Sequence, residues 1–165
     1  MKRFRILGIL CLFVPAALSG CKGYVIGHSA DLTKLVEGEG IIDPMRGTIK
    51  YDARFPGLTF TCSGLMETVH NTHAFGGLGN KLGGKFNCTD GRKGSAEMTI
   101  FEVGEAKGTG KDECGNVFQF YATIDEATFE ELKQEYLQKI KASGREFIDK
   151  CEVQGEAPAH TDPLI

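Results

Sequence analysis

The sequence predicts an α+β fold: a mainly antiparallel β meander, forming a small sheet or a partly open barrel, with one C-terminal amphipathic helix and disulfide staples. Three observations carry this. Short segments of alternating hydrophobicity recur between residues 46 and 124, separated by glycine-rich turns. The period changes to a helical one at Asp125. Four cysteines lie spread across both parts.

In chain order, Thr48-Ile49-Lys50-Tyr51 alternates, and Phe55-Pro56-Gly57 marks a turn. Leu58-Thr59-Phe60-Thr61-Cys62 alternates again and leads into a polar, glycine-rich loop. Lys85-Phe86-Asn87-Cys88, Ala96 to Phe101 and Asn116 to Thr123 read as further strands. Asp90-Gly91-Arg92 and Cys114-Gly115-Asn116 read as turns whose glycine accepts positive φ. Aligning residues 60–85 on 86–111 gives six identities, including Phe60 with Phe86 and Cys62 with Cys88. That pattern fits a repeated hairpin with each cysteine at one point of its strand, and it also fits coincidence in a glycine-rich chain.

Residues 125–151 form the expected helix, with Asp125 or Thr128 as cap and Thr128-x-x-Glu131 as a capping box. Phe129, Leu132, Tyr136, Ile140 and Phe147 make its apolar face, Glu135 with Lys139 supports it, and Gly144 breaks or kinks it. Residues 152–165, with Pro158 and Pro163, read as a flexible tail.

The N-terminus says where the protein lives. Lys2, Arg3 and Arg5 precede an apolar run from Ile6 to Leu18, followed by the small residues Ser19 and Gly20 and then Cys21. The run is too short for a membrane-spanning helix of about 20 apolar residues, and Pro15 interrupts it. Leu18-Ser19-Gly20-Cys21 resembles the lipobox of bacterial lipoproteins. The resemblance implies that residues 1–20 are a signal peptide and that Cys21 carries a diacylglycerol after cleavage. It also implies a protein held in a membrane by its N-terminal lipid. At about 0.8 kcal/mol per buried CH₂, two or more acyl chains hold firmly where one does not. Lys22 after the anchor, by resemblance to enterobacterial sorting, favours the outer membrane facing the periplasm in a Gram-negative source. Residues 21–45, with Gly23, Gly27, Gly38 and Gly40, read as anchor and tether, although Leu32, Leu35 and Val36 are apolar enough to be structured.

Removing residues 1–20 takes away three of 19 basic residues and none of the 22 acidic ones, leaving a net charge near −6. An acidic domain of this kind has no footprint for nucleic acid. Cys62, Cys88, Cys114 and Cys151 remain besides the anchor, an even number that in an exported chain reads as two disulfides. Zinc held by four thiolates is the weaker reading, because no close C-x-x-C pair exists. The expected pairs are Cys62 with Cys88 and Cys114 with Cys151. The rival is Cys88 with Cys114 and Cys62 with Cys151.

Chemistry-bearing motifs are few. His70-Asn71-Thr72-His73 has metal-ligand spacing without a third ligand nearby, so a small envelope metal-binding protein or hydrolase using His70 and His73 is the alternative function. Gly108-Thr109-Gly110-Lys111 fails the phosphate-loop pattern, with Glu105 and Asp112 where glycine and a hydroxyl residue are required. No Gly-x-Ser-x-Gly elbow is present. The glycine-rich loop over residues 76–84 is a candidate contact surface. The expectation is therefore a non-enzymatic, lipid-anchored envelope protein with a binding or structural role, no cofactor, and an envelope protein or ligand as partner.

Overall fold

The computed structural model describes residues 20–43, 47–70 and 77–155. Eight strands follow one another as β1 (Cys21–Ser29), β2 (Leu35–Asp43), β3 (Thr48–Arg54), β4 (Thr61–His70), β5 (Lys81–Cys88), β6 (Lys93–Glu102), β7 (Glu105–Asp112) and β8 (Val117–Thr123). Helices α1 (Glu126–Ser143) and α2 (Lys150–Gly155) follow them among the described residues. Every strand pairs antiparallel with its sequence neighbour, and β8 returns to pair with β1 from Tyr24↔Thr123 to Ser29↔Phe118. The fold is thus a closed eight-stranded barrel, which corrects the expected α+β arrangement of a small sheet or partly open barrel.

The correction begins at Cys21. The stretch 21–45, expected to be a tether, supplies β1 and β2, paired in register from Cys21↔Ile42 to His28↔Leu35. Strand β1 gives β8 its partner and β2 joins β1 to β3, and closure leaves no unpaired edge. Their pattern escaped a period-two reading because β1 is buried on both faces. Val25 faces the bore, while Tyr24 and Ile26 lie under α1, so the strand reads as a continuous apolar run. Strand β4 likewise runs to His70, beyond the expected end at Cys62, and β7 occupies the stretch that mimics a phosphate loop.

The bore is filled rather than hollow. Phe55, Phe60, Phe86, Phe118, Met66 and Met98 pack inside it, as eight strands leave an interior just wide enough for side chains. Glycines opposite the large rings make the room. A Cβ at Gly110 would lie 2.6 Å from Phe120 Cε2, and one at Gly64 would lie 2.6 Å from Tyr51 Oη. Gly94 stands in the same relation to Phe86. Gly64 falls in the stretch expected as a loop after Cys62, yet all three sit at inward strand positions where any larger residue would collide.

Asp125 caps α1, its carboxylate accepting from the Ala127 N–H at 3.0 Å, and Gly144 ends it at φ 62°. Phe129, Leu132, Tyr136 and Ile140 dock on Tyr24, Ile26, Leu35 and Tyr121. Tyr136 meets His28 edge-on at 4.8 Å. Glu37, buried at this seam, accepts from Arg54 at 2.8 Å and pairs with Lys133 at 2.7 Å. Burial alone would raise its carboxyl; the two cations hold it below the usual range. Phe147, expected on the helix face, belongs instead to the loop beyond it and packs against Phe118 at one end of the bore. Residues 150–155, partly assigned to the tail, are helical.

Cys62 joins Cys88 across the β4–β5 ladder, and Cys114 joins Cys151. The hairpin-repeat reading does not survive in detail. Cys62 opens its strand, Cys88 closes the next, and Cys114 lies just past β7, so the three cysteines share one end of the barrel and not one strand position.

Candidate functional site

The strand directions divide the barrel into two ends. One end, called the anchor end after the expected lipid site at Cys21, holds the start of β1, β3, β5 and β7. The capped end holds the start of β2, β4, β6 and β8 and the segment after α1.

At the anchor end, Cys21 is the first residue of β1, half-buried, and stands outside both disulfides. It shares the alternation of Gly23 and Val25, whose Cα partners on β2 are Gly40 and Gly38. That places its position at the mouth of the bore. Next to it, Lys22 pairs with Glu39 at 3.1 Å and lies over the Tyr24 ring at 4.9 Å.

At the capped end, a polar network closes the bore. Arg92 lies over the Phe60 ring at 4.1 Å and donates to Asp149 Oδ2 at 2.8 Å, with Asp90 2.7 Å from its Nε. Asn116 bridges two carboxylates, donating to Asp112 at 2.7 Å and to the other oxygen of Asp149 at 2.9 Å. The side chains of Arg92, Asp149 and Asp112 are only 12%, 4% and 2% exposed. Burial alone would raise the Asp149 carboxyl. Hydrogen bonds from Arg92, the Cys151 N–H and Asn116 outweigh it and hold the carboxyl below the usual range. The Cys114–Cys151 disulfide pins the segment bearing Asp149 to the end of β7. Sequence reading found only the two turns here, whose glycines Gly91 and Gly115 do take φ of 93° and 90°. Arg92, the turn that holds Asp112 and Asn116, and Asp149 come from three separate segments, so no local motif announces the network.

The metal candidates fare differently. His70 ends β4 and is exposed, while His73 lies outside the described residues. Asp112, Cys114 and Cys151 converge closely enough to hold an ion, but both sulfurs are bound in the disulfide and neither is a thiolate. The expected contact loop over 76–84 shortens, because β5 begins at Lys81.

Two further features complete the inventory. The Tyr51 hydroxyl points into the bore and has no hydrogen-bond partner among the described residues; burial pushes its phenol up to about 12. A shallow groove beside α1 is lined by Lys107, Thr109, Gln119, Phe120, Tyr121 and Tyr136. Within it Tyr121 donates to Glu105.

The barrel is apolar inside and polar outside. Lys50, Asp52, Ser63, Lys85, Asn87 and Lys93 take outward positions on its open side. A barrel that spans a bilayer has the reverse arrangement, with an outward apolar band and a polar lumen. Among the described residues, no helix is long and apolar enough to cross a membrane.

No protein-family model matches the chain, and no curated protein does. Among solved structures, the chain is similar to a de novo designed fluorescence-activating β-barrel, at 13% identity over 66% of this chain and 94% of that one, with a TM-score of 0.47. It is also similar to a redesigned β-barrel bound to DFHBI, at 13% identity over 64% of this chain and 94% of that one, with a TM-score of 0.49. Likenesses of this degree say nothing about ligand or activity.

Proposed function

We propose that the protein is a lipid-anchored component of a bacterial cell envelope, with its barrel as a non-enzymatic binding or structural module. In a Gram-negative source it faces the periplasm from the outer membrane. The observation that carries this reading is the lipobox-like Leu18-Ser19-Gly20-Cys21, placed so that cleavage before Cys21 leaves β1 intact from its first residue. Two disulfides suit an oxidising compartment. The acidic charge suits a protein or small-molecule partner better than nucleic acid. A bore filled with side chains directs partners to the outer surface.

Replacing Cys21→Ala should abolish palmitate labelling and move the protein from the membrane to the soluble fraction. Labelling unchanged in that variant contradicts the anchor. Crosslinking in intact envelopes then identifies what the outer surface binds.

A further inference from the structure

Exposed apolar side chains scattered singly are ordinary, whereas grouped ones mark an interaction surface. Here five of the large ones gather at the anchor end. Val103, in the β6–β7 turn, is 71% exposed and Val69, near the end of β4, is 64% exposed. Ile41, Leu78 and Phe101 are exposed as well. Ile41, Val69 and Phe101 lie among the last three residues of β2, β4 and β6, and Leu78 and Val103 in the connections that follow β4 and β6, all at the end that holds Cys21. Among the described residues, Ile148 and Val117 are the exposed large hydrophobics at the capped end, and Leu65 and Leu137 lie between the two ends.

The geometry points to a membrane-seating rim: the anchor end of the barrel rests on the lipid bilayer, with these side chains dipping into its interface and the acyl chains of Cys21 leaving from the mouth. This inference rests on the anchor reading proposed above. The absence of a tether between Cys21 and β1 makes the bilayer the occupant, because a lipid fixed at the first residue of a strand brings that rim to the membrane whatever else binds. The rim carries charges of both signs, including Lys22, Asp43, Lys81 and Glu102. Seating is therefore driven by apolar contact rather than attraction to anionic lipid. The barrel then stands end-on. Its Arg92 cap lies about 20 Å from the lipid, given some eight tilted residues at about 3.3 Å each, and faces the compartment.

The chain contains no tryptophan, so single introduced tryptophans report depth cleanly. Full-length protein with Val103→Trp or Ile148→Trp is made in a host that processes lipoproteins. Each is reconstituted into zwitterionic phosphatidylcholine vesicles with or without bromine on the acyl chains; Val69→Trp serves if the first variant fails to fold. The rim tryptophan should lose at least half its fluorescence in brominated vesicles, with Ile148→Trp unchanged. Vesicle-bound, palmitate-labelled protein with equal emission at both ends in the two vesicle types overturns the seating and leaves the anchor standing. Protein that carries no lipid and stays in solution overturns the anchor, and the seating with it.

Discussion

Arg92→Met should lower the unfolding free energy by about 3–5 kcal/mol, the usual cost of leaving a buried carboxylate without its cation. Asp112 and Asp149 are almost fully enclosed, and Arg92 is the cation that the structure sets against both. The substitution keeps much of the apolar contact with Phe60 and removes the charge, so the loss reports on electrostatics more than on packing. Its pH dependence has a definite sign. The Asp149 carboxyl is held below its ordinary 3.8 in the folded protein. Its contribution is therefore complete above that value and is lost as pH falls through the lower folded value. The gap between parent and variant should narrow below pH 3.8. Urea unfolding at pH 7 and pH 3 measures both statements. A gap that widens in acid contradicts the assignment.

The second large effect belongs to Cys114–Cys151. Closing a loop of 37 residues contributes about 4 kcal/mol on chain-entropy grounds, against about 3.5 kcal/mol for the 26-residue loop closed by Cys62–Cys88. Entropy alone scarcely separates them. What separates them is the structure each bond holds. Cys62 and Cys88 face each other in a ladder whose backbone pairing continues from Cys62↔Cys88 to His70↔Lys81. Cys151 instead fixes the segment that delivers Asp149 to Arg92 and Phe147 to the bore. Cys114→Ser with Cys151→Ser should therefore cost more than Cys62→Ser with Cys88→Ser. It should also add less than fully to Arg92→Met, because both changes disable one network. Equal costs and strict additivity, read from a double-mutant cycle of unfolding free energies, contradict this account.

How much of this was legible in the sequence depends on what each residue faces. Strands β3, β6 and β8 alternate visibly, because one face meets the bore and the other meets water over much of their length. Strand β1 does not, since Tyr24 and Ile26 are covered by α1 while Val25 faces inward. Strand β7, Glu-Ala-Lys-Gly-Thr-Gly-Lys-Asp, hides its inward set because two of its four inward residues are glycines making room for neighbouring backbone and the Phe120 ring. The helix cap at Asp125, the stop at Gly144 and the pair Glu135–Lys139, 2.6 Å apart, depend on short-range spacing and could be read directly. The Arg92 network and the apolar rim are properties of closure. They assemble residues from distant segments, and no window of sequence contains them.

The barrel begins at Cys21, the residue proposed to carry the lipid, with β1 closing the sheet from its first residue. Hydrogen exchange of the backbone amides from Lys22 to Ser29 in the lipidated protein tests this most directly. Amides that β1 shares with β2 and β8 should exchange as slowly as those of β5, through opening of the whole barrel. Complete exchange across residues 22–29 at the rate of unstructured peptide would contradict the account, and would restore that stretch to a tether.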